Sequence, residues 1–137
     1  MRINVPFVEL TKYIAEHYGK EVMFNYVNER EICANTSVKA LFVSKAIGIN
    51  VSLLDVVDND IQIGYNGGWG TDIIIKGIMK YLSMNMSTYN QMIEESNGNT
   101  LIVHLSKIEQ LKNVLEKFSL DNICFDEDGV VVSASFR

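Results

Sequence analysis

The chain is poor in the residues that punctuate, staple or catalyse. It has one proline, two cysteines and two histidines in 137 residues. The single proline, Pro6, stands at an expected helix start, so no proline-rich linker divides the chain. Cys33 and Cys124 lie far apart and form no CxxC or Cys/His spacing, which excludes a local zinc motif. Both sit in apolar, strand-like runs and read as small buried hydrophobes rather than as a disulfide or a reactive thiol. His17 ends a helix, where positive charge is favoured. His104 sits on a strand, on the face opposite Leu101, Val103 and Leu105. Neither joins a Ser/His/Asp or Cys/His set by local spacing. Glu94-Glu95 and Asp126-Glu127-Asp128 lack the ligand spacing of a calcium loop and read as solvated turns.

Clustered positive charge and long apolar runs are missing too. Nucleic-acid binding needs grouped Lys and Arg to neutralise phosphates, and the formal charge of −5 points the other way. No run approaches the roughly 20 apolar residues of a membrane span. The N-terminus shows no charged stretch followed by an apolar one, so a cytoplasmic protein without a signal peptide is expected. No catalytic residue, metal ligand or cofactor site is expected.

What is present is ordinary for a globular domain: 47% hydrophobic and 21% charged residues. A chain of this length reads as one domain, 1–137, able to bury roughly two thirds of its unfolded surface without a metal or disulfide.

Periodicity sets the organisation. Residues 2–5 form a short strand, with Asn4 as the cap of a helix whose first turn holds Pro6. Phe7, Leu10, Ile14 and His17/Tyr18 recur at helical spacing up to the stop at Gly19. Strands are expected at 21–27 and over a long alternating run from Ile32 to Phe42, with a polar turn at 28–31. The chain turns again near Ser44–Gly48, and Ile49, Val51 and Leu53 open the next strand. Asp58-Asn59-Asp60 turns it into Ile61, Ile63 and Tyr65.

Later, Asn97-Gly98 signals a hairpin between 91–96 and 99–105. Ser106-Lys107-Ile108-Glu109 is a capping box. The helix behind it carries Ile108, Leu111, Leu115 and Phe118 on one face. Strands 122–126 and 130–136, joined by Glu127-Asp128-Gly129, close the chain. Residues 3–42 and 101–136 share one βαββ order. That order reads as a degenerate repeat or as chance recurrence of a common unit.

The stretch 61–82, IQIGYNGGWGTDIIIKGIMKYL, departs from this patterning. A strand runs through a glycine-rich turn into a helix over 72–82, capped by Thr71 or Asp72. Strand, glycine turn and helix is the geometry that cradles phosphate. Here the P-loop lysine is missing, the GxGxxG spacing fails, and Asp72 places negative charge where an anion would sit. The turn therefore reads as backbone needing positive φ, with Trp69 folded back as a lid.

The helix has almost no polar face. Ile73, Ile74, Ile75, Ile78, Met79, Tyr81 and Leu82 surround it, and Met84 and Met86 extend the patch. Such a helix is wrapped by the core on several sides, or it faces something apolar outside the domain.

The layout resembles small bacterial tubular lipid-binding (TULIP-like) domains. The features that carry the likeness are a capped helix, long alternating strands, a G-x-G loop, an apolar helix, and the closing segment IVHLSKIEQL…LDNICFDEDGVVV. The resemblance covers most of the chain. It implies a strongly curved antiparallel sheet that wraps a helix and leaves an apolar groove.

The sequence thus predicts an α+β fold: one two-layer domain, a curved antiparallel sheet packed on about three helices. It predicts a non-catalytic binding module for a lipid-like or other hydrophobic ligand. A protein-interaction module, such as a homodimer, on the same surface is the alternative, and an enzyme of unknown class comes third. The residues expected to carry the surface are Trp69, Ile74, Ile78, Met79, Leu82, Met84 and Met86.

Overall fold

The computed structural model describes residues 1–40, 42–68, 70–85 and 89–137. It begins with β1 (Arg2–Pro6), which leads straight into α1 (Phe7–Tyr18). Pro6 is the last residue of the strand, at φ −62° and ψ 144°, and its side chain caps nothing. Asn4 lies inside β1, opposite Val131, and is no helix cap. The other end behaves as the glycine implied. Gly19 takes φ 64°, and its N–H donates to the Ala15 carbonyl at 3.1 Å.

Four strands follow: β2 (Val22–Asn28), β3 (Glu31–Ala40), β4 (Val43–Val57) and β5 (Asp60–Gly67). They form successive antiparallel hairpins. The turn expected near Ser44–Gly48 is not there, because β4 runs unbroken through it. Gly48 pairs with Asn35 inside the ladder, and a Cβ there would sit 3.0 Å from the Asn35 Oδ1. This glycine clears a neighbouring side chain rather than bending the chain.

Past the glycine loop come α2 (Thr71–Asn85), α3 (Tyr89–Met92), β6 (Ile93–Ser96) and β7 (Thr100–His104). Gly98 and Asn99, both at positive φ, make the β6–β7 turn. The capping box does not form. Leu105 is drawn into the core, and its N–H donates to the Asn59 carbonyl at 2.9 Å. Residues Leu105–Lys107 and Glu109–Leu111 therefore close as 3-10 turns, and α4 is confined to Lys112–Lys117. Strands β8 (Phe118–Phe125) and β9 (Gly129–Phe136) end the chain. The Asp126 Oδ1 accepts from the N–H groups of Asp128 and Gly129 in the turn between them.

The fold is α+β, with two antiparallel sheets rather than one. The order is β1-β9-β8 in the smaller and β2-β3-β4-β5-β7-β6 in the larger. The core lies where they meet α1. Phe7 of α1, Ile32 of β3, Leu53 of β4, Ile61 of β5 and Phe125 of β8 are buried together. The Phe7 ring stacks on Phe24 at 5.9 Å between centroids. Val51 and Leu53 of β4 face this core, with Ile47 and Ile49 continuing the face toward α2.

The opposite face of the larger sheet is polar. Glu31 pairs with Ser52 there and accepts its hydroxyl at 3.0 Å. Cys33 pairs with Asn50 on that same face, so it is a half-buried thiol beside amides rather than a core hydrophobe. Cys124 is likewise half-buried and free.

Candidate functional site

The glycine loop docks α2 onto β4 at Ile47, Gly48 and Ile49. Gly67 pairs with Ile49, and a Cβ there would stand 2.8 Å from the Gly48 carbonyl and overlap the Thr71 Oγ1. Gly70 sits at φ 88°, and a Cβ there would overlap the Ile47 side chain. The Thr71 hydroxyl donates to the Gly68 carbonyl at 2.9 Å, and Ile74 N–H donates to the Gly70 carbonyl at 3.1 Å. Thr71 is thus the first residue of the helix, and its hydroxyl points back into the loop rather than capping forward. Of the loop's glycines, only Gly70 takes the positive φ that the sequence reading expected of the turn; Gly67 is required by close approach, and nothing lies near Gly68.

The helix that emerges is not wrapped. It packs on β4 and α3 along one stripe: Thr71, Ile75, Met79 and Leu82 recur at helical spacing and turn inward. Met79 is 8% exposed. A second stripe, Ile73, Gly77, Tyr81 and Met84, lies on the far side, with Ile78 beside it. Ile73 is 56%, Ile78 50% and Met84 74% exposed. The uniformly apolar helix of the sequence is therefore two unlike faces, one docked and one open.

The expected surface residues divide between these faces. Ile78 and Met84 lie on the open side. Ile74 and Leu82 are half-buried, and Met79 points into the domain. Trp69 and Met86 lie outside the described residues. Ile73 and Tyr81 belong to the open stripe and were legible only as members of the apolar run.

The structure adds a neighbour that periodicity does not point to. Tyr18, at the end of α1, meets Tyr81 of α2 edge-on at 5.0 Å between ring centroids. Tyr13 stacks on His17 at 4.0 Å and approaches Tyr18 at 6.2 Å. The His17 Nδ1 lies 3.1 Å from the Tyr13 carbonyl. Partial burial, followed by the Tyr13 and Tyr81 phenols, pushes the Tyr18 phenol above its ordinary 10.0, so it stays a neutral donor and acceptor at physiological pH. Half-exposed tyrosines thus continue the open α2 stripe onto α1. The i, i+4 spacing of Tyr13 and His17 was the available local signal; the Tyr18–Tyr81 contact had none.

Two shallow clefts lie away from this surface. One, of about 220 Å³, is lined by Asn4, Pro6, Asp126, Asp128 and their neighbours. The other, of about 190 Å³, lies between α1 and β2 and is lined by Phe7, Val8, Thr11, Met23 and Phe24. Both are smaller than the roughly 300–1,000 Å³ of a typical small-molecule site.

A further apolar feature is the β3–β4 hairpin. Beyond the last β2 and β5 pairs, Thr36–Val22 and Ile49–Gly67, it continues alone, with Phe42 fully exposed near its tip. Among the described residues, no group of three or more His, Cys, Asp or Glu side chains is placed to hold a metal ion. Nor is any helix there long and apolar enough to cross a membrane. No family model, curated protein or solved structure matches the chain.

Proposed function

We propose that this protein is a non-catalytic interaction module whose partner on the open α2 surface is a second copy of the chain. One observation carries the reading: Ile73, Tyr81 and Met84 are substantially exposed along one side of α2, Ile78 is exposed toward its docked edge, and Tyr81 meets Tyr18, which Tyr13 approaches. Single exposed hydrophobes are normal, but a contiguous patch marks an interaction surface. Full burial of a large aliphatic or aromatic side chain contributes roughly 1.5–3 kcal/mol. Four that are about half exposed leave on the order of 3–6 kcal/mol to be gained on docking. Tyrosine and methionine suit such a site, one as a rigid amphipathic anchor and the other as an adaptable filler.

Light scattering over a concentration series tests this. The expected result is a doubled mass that Met84→Glu together with Ile73→Glu returns to the monomer value. A wild-type chain that stays monomeric to millimolar concentration ends the reading. Met79 is the wrong place for this charge, because it faces the interior.

The α1–β2 cleft favours a second reading, a small hydrophobic ligand of the kind the tubular lipid-binding resemblance implies. Four of its five lining residues, Phe7, Val8, Met23 and Phe24, are apolar. This reading predicts uptake of an apolar dye that Thr11→Glu blocks, and no uptake by the wild-type chain would dismiss it.

A further inference from the structure

His104 of β7 stands between two carboxylates on the polar face of the larger sheet. Its Nδ1 lies 2.8 Å from the Asp60 Oδ1 on β5, and its Nε2 lies 3.3 Å from the Glu94 Oε2 on β6. Asp60 is directly opposite His104 in the ladder, while Glu94 reaches it diagonally from its place opposite Ile102. β6 is a four-residue edge strand that pairs only with β7 in the sheet order. It continues directly from α3, whose Met92 is buried and which packs against α2.

We infer that the Asp60–His104–Glu94 bridge is a proton-operated clamp that holds β6, and with it the α3 support of the α2 docking surface. The consequence for docking rests on the function proposed above; the clamp itself does not.

Protonation sets how many N–H donors the His104 ring offers. An imidazolium donates from both ring nitrogens and satisfies both carboxylates. A neutral ring donates from one. The shorter contact, to Asp60, keeps that proton, and the other proton goes to solvent. The Nε2 lone pair then faces the Glu94 carboxylate, so two acceptors oppose each other. Glu94, the more exposed carboxylate, is free to turn into water. The bond across the β7–β6 seam is therefore the one that responds to the proton.

The charged groups on the packed elements agree. β5 contributes Asp60, β6 contributes Glu94 on this face and Glu95 on the other, and α3 contributes none. Lys107 lies in the 3-10 turn after β7, and Asp55 of β4 lies one strand further away, opposite Gln62. The hydrogen bond that His104 donates to Asp60, chiefly, raises the His104 pKa above its ordinary 6.5. Burial opposes the rise, and Glu94 adds to it. The clamp is thus closed below 6.5 and opens as pH climbs through the raised value.

Amide hydrogen exchange of Ile93–Ser96 between pH 5.5 and 8.5, corrected for intrinsic rates, tests this on the protein without a partner. An exposed charged pair of this kind predicts a roughly two- to fivefold fall in protection across the His104 titration. Glu94→Gln is the decisive variant. Its amide can donate to a neutral Nε2 or accept from a protonated one, so protection stays at the closed level at every pH. A flat wild-type profile, or a Glu94→Gln profile that falls as the wild type does, overturns the clamp. Failure to dimerise affects neither measurement, so the two ideas fail separately.

Discussion

Tyr18 and Tyr81 bring into contact two helices that the chain separates by most of the larger sheet. Their rings meet edge-on at 5.0 Å, with planes at 81°. This contact turns the open α2 stripe and the end of α1 into one surface. An edge-to-face aromatic pair contributes about 0.5–1.5 kcal/mol beyond its buried area. A double-mutant cycle with Tyr18→Ala and Tyr81→Ala should return a coupling of that size from denaturant unfolding. A coupling near zero would mean that the rings are neighbours by accident of packing.

Charge on the open stripe should spare the fold. Ile73→Glu and Met84→Glu remove apolar surface from water without emptying the core, so each should change stability by no more than about 0.5 kcal/mol. Met79→Ala, on the docked stripe, should cost about 2–5 kcal/mol. Chemical denaturation of the three variants reads this contrast directly. Equal losses at Met79 and Met84 would contradict the two-faced helix.

Gly129 should tolerate no side chain. It pairs with Pro6 where β1 meets β9, and a Cβ there would overlap the Val5 carbonyl oxygen, which is backbone and cannot rotate away. Phe7 N–H donates to the Asp128 carbonyl at 2.8 Å beside it, so any displacement reaches the start of α1. Gly129→Ala should destabilise by about 1–3 kcal/mol or more. Gly68→Ala, where nothing lies near the added carbon, is the control for the thermal-unfolding comparison.

Proton linkage at His104 has a definite sign. Its folded pKa is raised above the unfolded one, so the bridge's contribution is complete below the ordinary value of 6.5. That contribution is lost as pH rises through the raised value. The wild type should therefore lose stability across that window relative to His104→Gln, which cannot titrate. Denaturant midpoints of the two proteins between pH 5.5 and 8.5 should converge as pH rises. Parallel curves would show that the bridge contributes nothing to folding.

Much of the fold was legible because local patterns state it. Alternation marks β3, β5 and β9, and the Asn97-Gly98 pair marks the β6–β7 turn. The phase of Leu101, Val103 and Leu105 placed His104 on the outer face, where it is found. Other signals were overridden. Gly48 has the sequence of a turn, yet it lies within β4, because the β3–β4 ladder pairs continuously through it. Ser106 and Glu109 have the spacing of a capping box. The pull of Leu105 into the core and its bond to Asn59 hold that backbone in a 3-10 turn instead.

By itself, the sequence determined the kind of elements, an α+β class, and the presence of one helix too apolar to be left unexplained. Those properties are periodic, and periodicity is written in neighbouring residues. Which side of that helix would be covered was decided only by the tertiary structure, because a helix apolar all round carries no internal preference for a face. Docking of the loop at Gly70 against Ile47 of β4 makes that choice, with Met79 inward and Ile73, Tyr81 and Met84 outside. Tyr18 reaches Tyr81, and Glu94 reaches His104, for the same reason: strand pairing and helix docking bring together residues that no spacing along the chain relates.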